Sequence, residues 1–230
     1  MIAAMAGILV ASCGREDITP GAYDSFYLYG PNLCNTSKMV FDNQGLWWTA
    51  GDHIFVNGKD HEVLTDGEGN WRTHGTQVSS HNGKFYVGIP LDPIAHWDEI
   101  NCLYGPYNFT SGDIVPLAIA SSTNRLTLWP CCAVIRSTQY DYAYITVTNG
   151  KIATYGYIQP GETLAQCNIT LGGDGTDLDN GDWFAIGGSD GAYYFVLPIV
   201  DDEVEAILDF GSEVTPNPVV LKKGYFYDLN

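Results

Sequence analysis

Apolar side chains along this chain recur chiefly at every second position in short runs, and each run closes on Gly, Asn, Asp or Pro. Runs of this kind, rich in β-branched and aromatic residues, predict strands, because successive side chains on extended backbone point to opposite faces. They fall at residues 26–29, 38–41, 46–49, 53–56, 85–89, 125–129, 133–136, 143–148, 183–186, 193–197, 204–210 and 225–229. Helical spacing, with apolar residues three or four apart, is nearly absent. The stretch 93–101 is the best place for a short helix or an irregular crossover.

Between these runs stand Asn57-Gly58, Asp66-Gly67, Asn82-Gly83, Asn149-Gly150 and Asp190-Gly191. Such dipeptides favour the positive φ angles that tight hairpins need. About a dozen strands joined this way predict an all-β fold of antiparallel sandwich architecture. The stretch 82–90 (NGKFYVGIP) aligns without gaps on 190–198 (DGAYYFVLP), each a turn, an aromatic strand and a closing proline. The echo suggests two tandem β-sandwich domains, residues 13–122 and 123–230, joined near Ser121-Ser122-Thr123-Asn124.

The first dozen residues differ. An uncharged apolar run from Ile2 ends in Val10-Ala11-Ser12-Cys13-Gly14. The run is too short to span a bilayer and suits the apolar core of a secretory signal. Small residues directly before a cysteine are the pattern of a lipoprotein processing site, so residues 1–12 read as a signal peptide and Cys13 as the lipidated N-terminus. An n-region normally carries Lys or Arg, which residues 1–12 lack. The membrane partner is then reached through acyl chains.

Charge narrows the partners. Ten basic residues against 27 acidic ones give a net charge of −17, which repels phosphate backbones and excludes nucleic acid as an expected partner. Besides Cys13 there are Cys34, Cys102, Cys131, Cys132 and Cys167, with no CxxC spacing. They read mainly as small core residues, with one disulfide between Cys34 or Cys102 and a cysteine near Cys131 left open.

The order of segments resembles the fimbrillin-like surface proteins of Bacteroidetes. The resemblance is carried by residues 48–56 (WTAGDHIFV), 85–90 (FYVGIP), 111–118 (SGDIVPLA), 126–130 (LTLWP), 193–198 and 223–229. It implies two transthyretin-like β-sandwich domains on a lipidated outer-membrane protein of the cell surface. Such a protein is a pilus subunit, accessory, anchor or cap, or an adhesin, and its partners are other pilus subunits or host and surface glycans. Gly14-Arg15-Glu16-Asp17 is similar to the short signal that sends lipoproteins to the outer face. Shaft subunits of the family are trimmed at an arginine to admit a donor strand. Here Arg15 adjoins the anchor and the next arginine is Arg72, so an accessory or stand-alone member fits better.

For catalysis the sequence offers no nucleophile elbow, phosphate loop or zinc-protease motif, and no catalytic residue or cofactor is expected. Five histidines, His53, His61, His74, His81 and His96, lie in the first half without ligand spacing, and no metal is expected. One weak calcium candidate is the acidic stretch 172–182, with Asp174, Asp177, Asp179 and Asp182, although its register misses the EF-hand loop. Six tryptophans and fifteen tyrosines raise a different function, because aromatic faces stack on sugar rings. Adjacent Trp47 and Trp48 are a weak candidate for glycan binding, one facing out while the other packs inward.

Overall fold

The computed structural model describes residues 21–29, 40–42, 45–65, 70–88, 96–109, 115–172, 177–178 and 180–229; for 40–42, 45–47 and 177–178 it describes the backbone only. Among these residues the fold is all-β, as the alternation predicts, with a single 3-10 turn at Leu164–Gln166. No helix among them is long and apolar enough to cross a membrane.

The largest sheet has eight strands in the order Arg125–Leu126, Tyr27–Leu28, Trp71–Gly75, Lys59–Thr65, His53–Val56, Phe85–Gly88, Leu117–Ser121 and Trp129–Pro130. Its neighbours are antiparallel except for the parallel pair Tyr27–Leu28 and Arg125–Leu126. The two outermost strands are separated in sequence only by Thr127 and Leu128. A link that short holds the two edges within about 11 Å, so the sheet must curl round on itself. Inside lie Phe26, Ile54, Val56, Val63, Phe85, Val87, Leu117 and Leu126, all fully buried.

A second sheet orders Ile186–Gly187, Tyr193–Pro198, Cys132–Ser137 and Phe226–Leu229. Its middle strands are buried on both faces, which is why residues 132–135 and 193–198 read as continuous apolar runs. Cys132, Val134, Tyr194 and Val196 face the curled sheet's core, whereas Ala133, Ile135, Phe195 and Leu197 face the other way. That other face packs on a third sheet, Asn180–Phe184, Tyr142–Asn149, Glu203–Asp209 and Val219–Lys222, through Ile145, Trp183, Val204 and Leu208. One sheet is thus shared by two hydrophobic cores.

A fourth sheet, ordered Trp97–Asp98, Leu103–Asn108, Tyr155–Gln159 and Asn168–Leu171, closes over a third core of Tyr104, Tyr107, Phe109, Ile158, Cys167 and Ile169. Strands from both sides of residues 122–123 share this sheet and the eight-stranded one. The polar run Ser121–Asn124 is a tight turn, with the Ser121 hydroxyl bonded to the carbonyls of Thr123 and Arg125. The two echoing segments pair differently: Phe85–Gly88 lies beside His53–Val56 and Leu117–Ser121, Tyr193–Pro198 beside Cys132–Ser137 and Ile186–Gly187. From the stretch 93–101 the described part is strand Trp97–Asp98 followed by a turn.

Candidate functional site: a cleft walled by Trp97

The strands His53–Val56 and Lys59–Thr65 form a hairpin whose turn residues, Asn57 and Gly58, have φ of 45° and 73°. Asparagine and glycine tolerate this conformation where most residues do not. The Asn57 side chain then ties two neighbours to the turn: its Oδ1 accepts the Tyr86 amide at 2.7 Å and its Nδ2 donates to the Ser79 carbonyl at 3.0 Å. Gly58 donates its amide to the Tyr104 hydroxyl at 3.1 Å, and that hydroxyl lies 2.7 Å from the Tyr86 carbonyl. These bonds fix a floor of four chain segments.

Trp97 lies on that floor. A Cβ at position 58 would stand 2.8 Å from the Trp97 Cβ, so only glycine leaves room for the indole. The ring centroid is 4.8 Å from that of Tyr104, 5.5 Å from Tyr86 and 6.4 Å from His81. Trp97 belongs to the outermost strand of its sheet and remains partly exposed. Above it opens a cleft of about 560 Å³ lined by Gln77, Ser79, His81, His96, Glu99 and Lys59, among others. Small-molecule sites commonly fall in this size range, with an aromatic wall and a few polar groups.

On the polar side, His81 Nε2 lies 3.0 Å from Asn82 Nδ2 and His81 Nδ1 lies 3.1 Å from Glu99 Oε1. The arrangement offers an aromatic face and neutral or singly charged hydrogen-bonding groups, which is the chemistry for holding a polyhydroxylated ring.

Of the residues singled out from sequence, Cys13, Asp174 and Asp179 lie outside the described residues. Asp177 falls on the strand Asp177–Leu178. Asp182 is exposed, and its Oδ1 accepts the Tyr142 hydroxyl at 2.6 Å. Among the described residues no group of three or more His, Cys, Asp or Glu could hold a metal ion. Trp47 ends the strand Gly45–Trp47, and its side chain is outside the described set; Trp48 is half-buried against the first core. The histidines scatter: His61 is wholly buried, His53 bonds Asp60 at 2.8 Å, and His81 and His96 share the cleft. Spacing along the chain carried no signal for Trp97, His81 and Glu99, which two separate segments bring together. Comparison with family models, with curated proteins and with solved structures found no match.

Proposed function

We propose that this chain is a non-enzymatic, lipid-anchored adhesin of the outer cell surface, of the fimbrillin-like kind, and that the cleft beside Trp97 grips a neutral sugar ring. The cleft is the observation that carries this reading. An indole edge-strand wall supplies stacking area, and Gln77, Ser79, His81 and Glu99 supply hydrogen bonds at its rim. A net charge of −17 disfavours sulfated or uronate-rich polymers and favours uncharged glycans. Glycan-array binding by the purified chain tests the reading. Binding confined to neutral glycans and lost in Trp97→Ala supports it; an array without specific binding overturns it. Anchoring is tested separately by Cys13→Ser, which should release the protein from membranes.

A second reading, a pilus accessory or cap, is favoured by one observation. The strand Tyr27–Leu28 is a two-residue element held between Trp71–Gly75 and Arg125–Leu126. A foreign strand entering at that position would find backbone partners on both sides. Two tandem transthyretin-like sandwiches belong to this reading. Capture of a synthetic donor-strand peptide after removal of residues up to 28 would support it.

A further inference from the structure

The outer face of the third sheet carries aromatic rings where solvent-facing strand positions are ordinarily polar. Ala143, Ile145, Trp183 and Leu208 pack inward on the second core, so by alternation Tyr142, Tyr144, Asp182, Phe184 and Asp209 share the outer face. Phe184 is 61% exposed and Tyr144 41%. Tyr142 and Phe184 are direct partners across neighbouring strands, with ring centroids 5.6 Å apart. Two residues along, Tyr144 stands between two carboxylates, paired with Asp182 on one side and Asp209 on the other.

These carboxylates have no cationic neighbour. Asp182 Oδ1 accepts the Tyr142 hydroxyl at 2.6 Å and Asp209 Oδ1 accepts the Gly211 amide at 2.7 Å, but neither forms an ion pair with a described residue. Lys222, on the far strand of the sheet, is already engaged by Glu203 at 3.4 Å. Ring faces open to water and flanked by carboxylates attract a cation twice over, through the ring quadrupole and through charge-assisted hydrogen bonds. An anionic partner is repelled both here and by the net charge of −17. No residue of this face lines the Trp97 cleft.

We propose that this face docks a basic, extended segment of a partner protein, one arginine lying over Tyr144 between Asp182 and Asp209 and a second against Phe184. Arginine suits the site better than lysine, because its planar guanidinium stacks on a ring while its N–H groups reach a carboxylate at the ring's edge. Tyr144 and Phe184 are diagonal neighbours on adjacent strands, a spacing of about 7–8 Å. Alternate side chains of an extended segment are about 7 Å apart, so the partner presents its cations at every second position. Asp182 is exposed and Asp209 half-buried, so the attraction weakens as salt is added.

The test titrates the purified full chain at low salt into a labelled peptide of alternating arginine and serine, read by fluorescence anisotropy, with an alternating glutamate and serine peptide for comparison. The arginine peptide should bind and the glutamate peptide should not. Tyr144→Ala/Phe184→Ala, which changes no charge, should weaken binding about tenfold or more. Asp182→Asn/Asp209→Asn should weaken it more than Asp201→Asn/Asp202→Asn, which removes the same charge from an exposed bend elsewhere. No binding of the arginine peptide, unchanged affinity in the ring variant, or equal losses in the two aspartate variants, all folded by circular dichroism, overturns the proposal. So does a dimer in sedimentation velocity that the ring variant dissolves, because a second copy then covers the face.

Discussion

Gly58 and Trp97 stand so close that a single added methyl would meet the indole's Cβ at 2.8 Å. The contact joins the tightest hairpin of the eight-stranded sheet to the outermost strand of the fourth. It sets where the wall of the cleft lies.

Gly58→Ala therefore carries two costs. The positive φ of 73° strains an L-residue, and the methyl pushes Trp97 outward. We expect a loss of about 1–3 kcal/mol in urea unfolding, together with a blue-to-red shift in tryptophan emission as the indole becomes wetter. Gly83→Ala is the control: its φ is also positive, at 76°, but nothing lies within 4 Å of the added carbon. It should cost less and leave the emission unchanged.

Arg136 holds the shared sheet together at one end. Its guanidinium donates to Asp190 at 3.0 Å and to Asp228 at 3.2 Å, and its side chain is only 13% exposed. Removing it leaves two carboxylates facing each other across three strands. Arg136→Met should cost about 1–3 kcal/mol by chemical denaturation. The exposed pair Lys222–Glu203, both side chains at least half exposed, should cost under about 1 kcal/mol when Lys222 becomes Met.

His61 makes stability depend on pH. Burial holds its imidazole below the usual value of 6.5, since the charged ring would lose its water among Phe26 and Thr73; Asp60 and Asp24 oppose that shift and His74 adds to it. A base with a depressed folded pKa takes its proton more readily unfolded. The stabilisation is therefore complete above about pH 6.5 and declines as pH falls below it, levelling once the folded protein also protonates. Melting temperatures from pH 7.5 to 5 should drop for the wild type and drop less for His61→Gln.

Calcium gives a further check. Asp182 is engaged by the Tyr142 hydroxyl, on the face of a sheet. Adding millimolar calcium should leave the melting temperature unchanged, whereas a site binding more tightly than that would raise it.

Strands were readable wherever apolar residues alternate or run together, as at His53–Val56, Cys132–Ser137, Tyr193–Pro198 and Glu203–Asp209. Lys59–Thr65 escaped because its inward positions are His61 and Val63, so the run looks polar. Leu103–Asn108 escaped because Gly105 and Pro106 interrupt it. The run 125–129 gave two short strands at opposite edges of one sheet, an outcome of sheet curvature that local pattern does not encode. The cleft was hidden for a related reason. Its residues come from segments near 57–59, 77–81 and 96–99, each unremarkable alone, and only the packing of Trp97 on Gly58 assembles them.

The most direct measurement is titration calorimetry of the purified chain with the neutral glycan that gives the strongest array signal, comparing wild type with Trp97→Ala and Trp48→Ala. Trp97 walls the cleft, whereas Trp48 packs on the first core. The account predicts that Trp97→Ala weakens binding about 30-fold or more, roughly 2 kcal/mol, while Trp48→Ala leaves the affinity within about twofold. Equal affinity for wild type and Trp97→Ala, with both folded by circular dichroism, would contradict it.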